Sequence, residues 1–422
     1  IEQITKNDDS LIQEQANFDV DRYWFDWLKT QNYMGNDEPD YREIVLPDLE
    51  ALLEQPPLVE FIVKQGYCVW DPAVPATANV ASTVCGVDGY LPAMQGGTVE
   101  AALQKIGAAE KCNLAGKFTG QGTIWQTGRP TTTSRKCDAY IWALEAYGDR
   151  VNSRQVGYLV DSYAMRPTSP VAQGLLQSGF NYATNQVVSH DYFILHKGFV
   201  FDLSCFTDAI PLDDQGYGRT DTAVEYETFK EILLKFYKRN EGGIGNLIGF
   251  TPWSIKYTAH TNERPEYGGL DGETTFVALC NAYNFVVDSD APGMASLSNA
   301  SFYSHVQLAA HYYNPKPPKI PFDATKKYLH IYMGDYDGSA WTNRFVAKYF
   351  KKTDPSYHTA GEKELDYRGD KIITWAFNPN LSQRVPQAFW YMMENRTDKD
   401  YFIVGDSGAG YVFPDLFREG NP

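Results

Sequence analysis

Asp335 and Asp337 stand two residues apart in Gly334-Asp335-Tyr336-Asp337-Gly338. Side chains at i and i+2 share one face of an extended segment. Two carboxyl groups on one side of a cleft are what glycosidic bond cleavage requires. One stays protonated to act as acid; the other attacks the sugar or activates water. A separation of about 5 Å gives retention and a wider one inversion. Asp406 and Glu273 are the next candidates for the partner carboxylate. The competing expectation is that Asp335 and Asp337 only stabilise a glycine-rich turn. Flat rings suited to stacking on sugars are offered by Trp253, Trp341, Trp375 and Tyr411. A lone Trp is more often core than platform, so about two of these four are expected to line a site. Lys256, Tyr257, Arg368, Asn378 and Arg384 supply donors for hydroxyls or a uronic carboxylate. Taken singly, Lys256, Arg368 and Arg384 each fit an ordinary ion pair better in so acidic a chain.

A second chemistry draws on the same region. Asp288 and Asp290, with Asp335, Asp337 and His305, form a set of hard ligands for Ca²⁺ or Mg²⁺. With His305 the set would admit Zn²⁺, as in a metal-dependent polysaccharide deacetylase. No HxxxH pair occurs, and Asp335–Gly338 matches only part of an EF-hand loop, without its terminal Glu. The metal reading therefore ranks below the two-carboxylate one. No cofactor is required, although a divalent cation is compatible. Ser407 lies in Gly405-Asp406-Ser407-Gly408-Ala409, which does not complete G-x-S-x-G, so a serine nucleophile is disfavoured.

These residues need strands to hold them. Five short apolar runs recur in the last part of the chain: Leu247–Phe250, Phe285–Val287, Leu329–Met333, Ile372–Phe377 and Tyr401–Val404. They lack alternation, as do strands buried on both faces of a parallel sheet. Helix-like stretches such as Thr275–Tyr283 and Trp341–Phe350 separate some of them, which points to βαβ units. A polar cluster follows each run: Thr251–Tyr257, Asp288–Asp290, Gly334–Gly338, Asn378–Asn380 and Gly405–Tyr411. In parallel α/β folds the carboxyl ends of all strands lie on one side, where loops build the binding crevice. The five clusters should converge there.

The rest of the chain reads as α/β as well. Tyr23, Trp24, Trp27 and Leu28 form a helical stripe. Pro56-Pro57 breaks the chain ahead of Phe61–Val63 and Tyr67–Trp70. Tyr140–Tyr147 reads as helix, Val156–Val160 and Tyr192–Leu203 as strands, and Val224–Tyr237 as a helix stopped by Gly242-Gly243. The expected division is an N-terminal α/β domain over 1–107, a middle α/β domain over 108–240 and a catalytic-like domain over 241–422. The last segment is short for an eightfold barrel of about 250 residues. An incomplete or distorted (β/α) barrel is expected, recruiting strands from about residue 156 onward.

Charge narrows the partners. With 53 Asp and Glu against 37 Lys and Arg, the formal net charge is −16, which disfavours nucleic acid and anionic membrane surfaces. No apolar run approaches the roughly 18 residues of a membrane span. A carbohydrate ligand is the simplest fit; oligomeric state leaves no sequence signal. Sequons at Asn299, Asn380 and Asn395, an even count of six cysteines and a polar, acidic start at Ile1 suit a secreted glycoprotein whose leader is removed. The cysteines allow up to three disulfides or free buried thiols.

The same clusters carry a resemblance. Gly408-Ala409-Gly410-Tyr411-Val412-Phe413-Pro414 is similar to the naming motif of the GxGYxYP family of putative glycoside hydrolases, with Phe413 in place of the second Tyr. That replacement removes a hydroxyl, so position 413 is given no polar role. Gly249–Trp253 with Lys256-Tyr257, Asn299–Tyr303, Gly334–Trp341 and Asp406-Ser407 also resemble the family, in order along the chain. The likeness is strong over 241–422 and thinner before it. It implies a barrel-like α/β catalytic domain and carbohydrate hydrolysis. A non-catalytic carbohydrate-binding or structural glycoprotein of the same fold is the alternative.

Overall fold

The computed structural model describes residues 20–33, 56–159, 190–208, 210–211, 214, 221–249, 251, 272–288, 300–307, 314, 316, 319, 321–336, 342–343, 346, 350, 369, 371–405 and 410–418. These form a mixed α/β structure in which every strand pair is parallel.

The amino-terminal sheet has the order β2-β1-β3, built from β1 (Tyr67–Trp70), β2 (Leu91–Met94) and β3 (Glu110–Asn113). Ahead of it, α1 spans Val20–Thr30 and α2 spans Pro56–Gln65. Pro56-Pro57, expected to break the chain, instead opens α2, where a missing N–H is tolerated because the first turn has no intrahelical partner. The crossovers are α3 (Ala76–Asp88) and α4 (Thr98–Lys105). Helix α3 is buried along Ala76–Gly86, and its small side chains let neighbouring backbones approach closely. Its polar residues tie it to its surroundings. Asn79 donates to the Leu159 carbonyl at 2.8 Å, and Thr83 Oγ1 accepts the Val200 N–H at 3.0 Å.

The central sheet has the order β5-β4-β6-β7: β4 (Asn152–Tyr158), β5 (Gly198–Phe201), β6 (Gly245–Gly249) and β7 (Phe285–Asp288). Strand β4, which contains Val156, pairs with β6 of the last segment. Helix α5 (Arg135–Tyr147) is capped by Ser134, whose hydroxyl accepts the Cys137 N–H at 3.0 Å. The run Tyr192–Leu203, expected as one strand, is split. Helix α6 (His190–His196) ends at Lys197, whose φ of 55° turns the chain into β5. Twelve residues exceed the length of an ordinary buried strand, so an apolar run of that length leaves room for both elements. Helix α7 (Val224–Arg239) buries the stripe Phe229, Ile232, Leu233 and Phe236, and α8 (Gly272–Asn281) and α9 (Ala300–Tyr303) follow.

The carboxy-terminal sheet has the order β10-β9-β8, from β8 (Tyr332–Tyr336), β9 (Ile373–Phe377) and β10 (Asp400–Val404), with α10 (Pro386–Glu394) between β9 and β10. Here burial departs from expectation. Leu329 is 88% exposed and Tyr332 53%. The strand starts three residues later than the apolar run, which places Asp335 within β8 rather than beyond its end.

One core cluster takes in residues from Cys68 to Val287, spanning α3, α5, α7, α8 and the first two sheets. A second joins Trp24 of α1 to Tyr391 and Met392 of α10 and to Trp375 and Phe377 of β9. Among the described residues no helix is long and apolar enough to cross a membrane.

Candidate functional site

The strand ends of the central sheet are level. Tyr158 faces Phe201 and Gly249 across the ladders, and Ile248 faces Asp288. The residues that follow are polar and buried: Asp202 after β5, Thr251 after β6, and Asp288 closing β7. In the carboxy-terminal sheet Phe377 faces both Tyr336 and Val404, and Asn378 comes next.

Asp288 joins the two sheets at these ends. Its carboxylate accepts the Asn378 amide at 2.6 Å and both terminal nitrogens of Arg384, at 2.5 and 3.2 Å. Asp288 and Asn378 are fully buried and Arg384 is 1% exposed. A buried carboxylate is tolerated only with such a fork of charged donors. Arg384 reaches it because the 3₁₀ turn Pro379–Gln383 folds back directly after β9; Asn378 caps that turn by accepting the Asn380 N–H at 3.0 Å.

The glycine motif docks beside this pair. Tyr411 and Val287 exchange backbone hydrogen bonds of 2.8 and 3.4 Å, an antiparallel bridge on the free edge of β7. Gly410 has φ 120°, and a Cβ there would overlap the Val287 carbonyl oxygen. Only glycine lets the motif lie so close to β7. The Asn281 side chain secures the segment from α8, accepting the Phe413 N–H at 2.6 Å. Gly405 N–H, at the end of β10, donates to the Phe377 carbonyl at 2.8 Å.

Among the described residues, contacts thus connect Asp288 at the end of β7 with Asn378 after β9, Tyr411 with Val287 of β7, and Gly405 after β10 with Phe377 of β9. The individual residues are placed as follows. Asp335 has its backbone in β8, where the register shifts between Met333 and Tyr336. Glu273 is partly buried in the first turn of α8, where the helix dipole favours a carboxylate. Tyr411 is partly buried against the main core. Trp375 is 5% exposed; its indole N–H donates to Asp400 at 2.8 Å and its ring packs edge-on to Phe350. That is a core position. His305 is exposed, and its carbonyl accepts the Tyr33 hydroxyl at 2.7 Å. Asn395 closes α10 and donates to the Tyr391 carbonyl at 2.9 Å. Asp337, Asp406, Trp253, Lys256, Tyr257, Trp341, Arg368, Asp290, Asn299 and Ser407 lie outside the described residues. Among the described residues no group of three or more His, Cys, Asp or Glu side chains is arranged to hold a metal ion, and Asp288 is engaged by Arg384.

Sequence reasoning missed the buried polar groups around the end of β5. Lys136 pairs with Glu225 at 3.3 Å, Glu225 accepts the Ser204 N–H at 2.7 Å, and Ser134 donates to Asp214 at 2.7 Å. Asp202 lay inside the run Tyr192–Leu203 and so read as part of a strand. Lys136 and Glu225 carried no signal, since a charged residue on an amphipathic helix reads as surface. An open cleft of about 540 Å³ also lies between α5 and α7, lined by Arg129, Ile141, Val224, Thr228, Glu231 and Leu234. Its charges pair among themselves, Arg129 with Glu231 at 2.6 Å and Lys230 with Glu227 at 3.1 Å. The strand ends are therefore the stronger candidate.

Comparison with known proteins bears on the same region. A crystal structure described as a putative hydrolase from Bacteroides thetaiotaomicron VPI-5482 aligns with a TM-score of 0.53 at 14% identity, over 96% of this chain and 58% of its own. At that identity the likeness is one of fold, and this chain spans little more than half of the neighbour's length. No curated protein matches the chain. Residues 325–421, which hold β8, β9, α10, β10 and the glycine motif docked on β7, match the model of the GxGYxYP putative glycoside hydrolase C-terminal domain.

Proposed function

We propose that the chain is a secreted glycoside hydrolase whose site is formed by the carboxyl ends of the central and carboxy-terminal sheets. The observation that carries this reading is the buried Asp288–Asn378–Arg384 junction, which holds the ends of β7 and β9 side by side. Asp335 and Asp337 are the first candidates for acid and nucleophile or base, with Asp406 and Glu273 as partners. The register shift in β8 falls on Gly334-Asp335, and bulges of this kind occur beside active sites because they free a position from the ladder. Trp253, Trp341 and Tyr411 are the proposed sugar contacts, with Lys256, Tyr257 and Arg368. Trp375, Asn378, Arg384 and Asp288 are assigned instead to holding the site in shape.

In this reading the two sheets are successive arcs of an incomplete barrel wall. The segments 1–107, 108–240 and 241–422 are parts of one packed unit rather than separable modules. The ligand is carbohydrate, and neither nucleic acid nor membrane insertion is involved.

The test is release of reducing ends from a panel of polysaccharides and aryl glycosides by the full chain. Turnover of any glycoside supports the reading. Glycan binding without turnover would replace it with a carbohydrate-binding protein of the same fold.

A further inference from the structure

Three of the six cysteines gather at one point. All six are free thiols. Strands β1 and β3 run parallel in a register that sets Cys68 directly opposite Cys112. Neighbouring strands lie about 4.8 Å apart, within the Cα separations of roughly 4.4–6.8 Å that a disulfide spans. Cys68 and Cys85, in the last turn of α3, share one core cluster, and Cys112 packs against it. Cys68 and Cys85 are buried, whereas Cys112 is partly open to solvent. The other three cysteines, Cys137, Cys205 and Cys280, are all buried.

We propose that Cys68 and Cys112 are an oxidisable pair that closes into a disulfide joining the edge strand β3 to the central strand β1. The co-reactant is a small-molecule disulfide. Cys112, the accessible thiol, gives its proton to solvent, and its sulfur attacks the reagent, forming a mixed disulfide and expelling one thiolate. Cys68 then loses its proton and displaces the second thiolate. Two protein thiols become one S–S bond, and one reagent disulfide becomes two thiols. The neighbouring Cys68 thiol and burial hold the Cys112 thiol protonated well above its ordinary range. Cys68 is also raised, with the Cys112 thiol acting in the lowering sense and outweighed by Cys85 and burial. Reaction on the folded protein is accordingly slow, because the thiolate is the nucleophile. The bond would close a loop running from residue 68 to 112, holding α3, β2 and α4, and would stabilise mainly by restricting the unfolded chain. This inference is independent of the hydrolase reading.

The experiment incubates the folded full-length chain with oxidised glutathione until the thiol count is constant, then denatures it, alkylates it and measures its mass. Six alkylated cysteines should become four, returning to six with dithiothreitol. Cys112→Ala, at the partly open position, should stay at five, while Cys85→Ala should fall from five to three. Six labelled thiols at the plateau, a glutathione adduct persisting on Cys112, or a loss of two thiols that survives in Cys112→Ala would each overturn the pairing.

Discussion

Asp288 and Arg384 show how one residue type serves two readings. Two aspartates after an apolar run, Asp288 and Asp290, invite a metal, and an arginine further on invites a uronic acid. In the folded chain the first aspartate and the arginine bind each other, fully buried. Removing one partner leaves an uncompensated buried charge, so Arg384→Ala is expected to cost about 3–5 kcal/mol. Urea denaturation should show a lowered midpoint; an unchanged midpoint would remove the junction from the account. His190 gives a pH-dependent counterpart. Its Nδ1 lies 2.6 Å from the Ser82 hydroxyl, and burial lowers its pKa to about 4. The unfolded value is near 6.5, so the unfolded chain binds the proton more readily. The stability this histidine contributes is complete above pH 6.5 and declines as pH falls from there toward 4. The loss is on the order of 3 kcal/mol over that window. A His190→Gln variant should flatten that part of the stability–pH curve.

At the scale of elements, the strand ends were legible and their surroundings less so. Apolar runs followed by a polar residue located β6, β7, β9 and β10 within a residue or two, because largely covered strands read as continuous apolar segments. The same rule misplaced β8, whose leading residues are exposed rather than covered. It also merged α6 with β5, since an apolar helix and an apolar strand are alike in composition. Pro56-Pro57 reads as a break in sequence and acts as a helix start in the fold. A glycine in such a motif allows close approach to another backbone. For Gly410 the partner is β7 of the protein itself. Gly410→Ala must hold a side chain at φ 120° against the Val287 carbonyl, and a loss of about 1–3 kcal/mol is expected. If calorimetry shows no shift in Tm, the motif is not anchored at this point.

At the scale of the whole molecule, long-range packing was not legible, because no pattern in a sequence states which apolar faces meet. Trp24 of α1 donates its indole N–H to the Asn343 carbonyl at 3.1 Å, and Tyr23 bonds Tyr391 at 2.6 Å, so the beginning of the described chain is held by its last third. The main core likewise takes Leu247, Phe276, Phe285 and Val287 together with residues from β1 onward. A fragment ending at Asn240 loses β6 and β7 from the ladder on β4 and is expected to lack a cooperative unfolding transition. A sharp transition from that fragment would show that the amino-terminal part folds alone. The acidic surplus, −16 in formal charge, belongs to this scale too, and is consistent with a neutral sugar.

The central claim is that carboxylates at these strand ends cleave a glycosidic bond. The most direct measurement is kcat/KM on the best aryl glycoside for the wild type, Asp335→Asn and Asp337→Asn, with circular dichroism and Tm confirming that each variant is folded. At least one variant is expected to lose activity by roughly 10²–10⁴-fold, the contribution of a general acid or base. Two folded variants with wild-type turnover would contradict it.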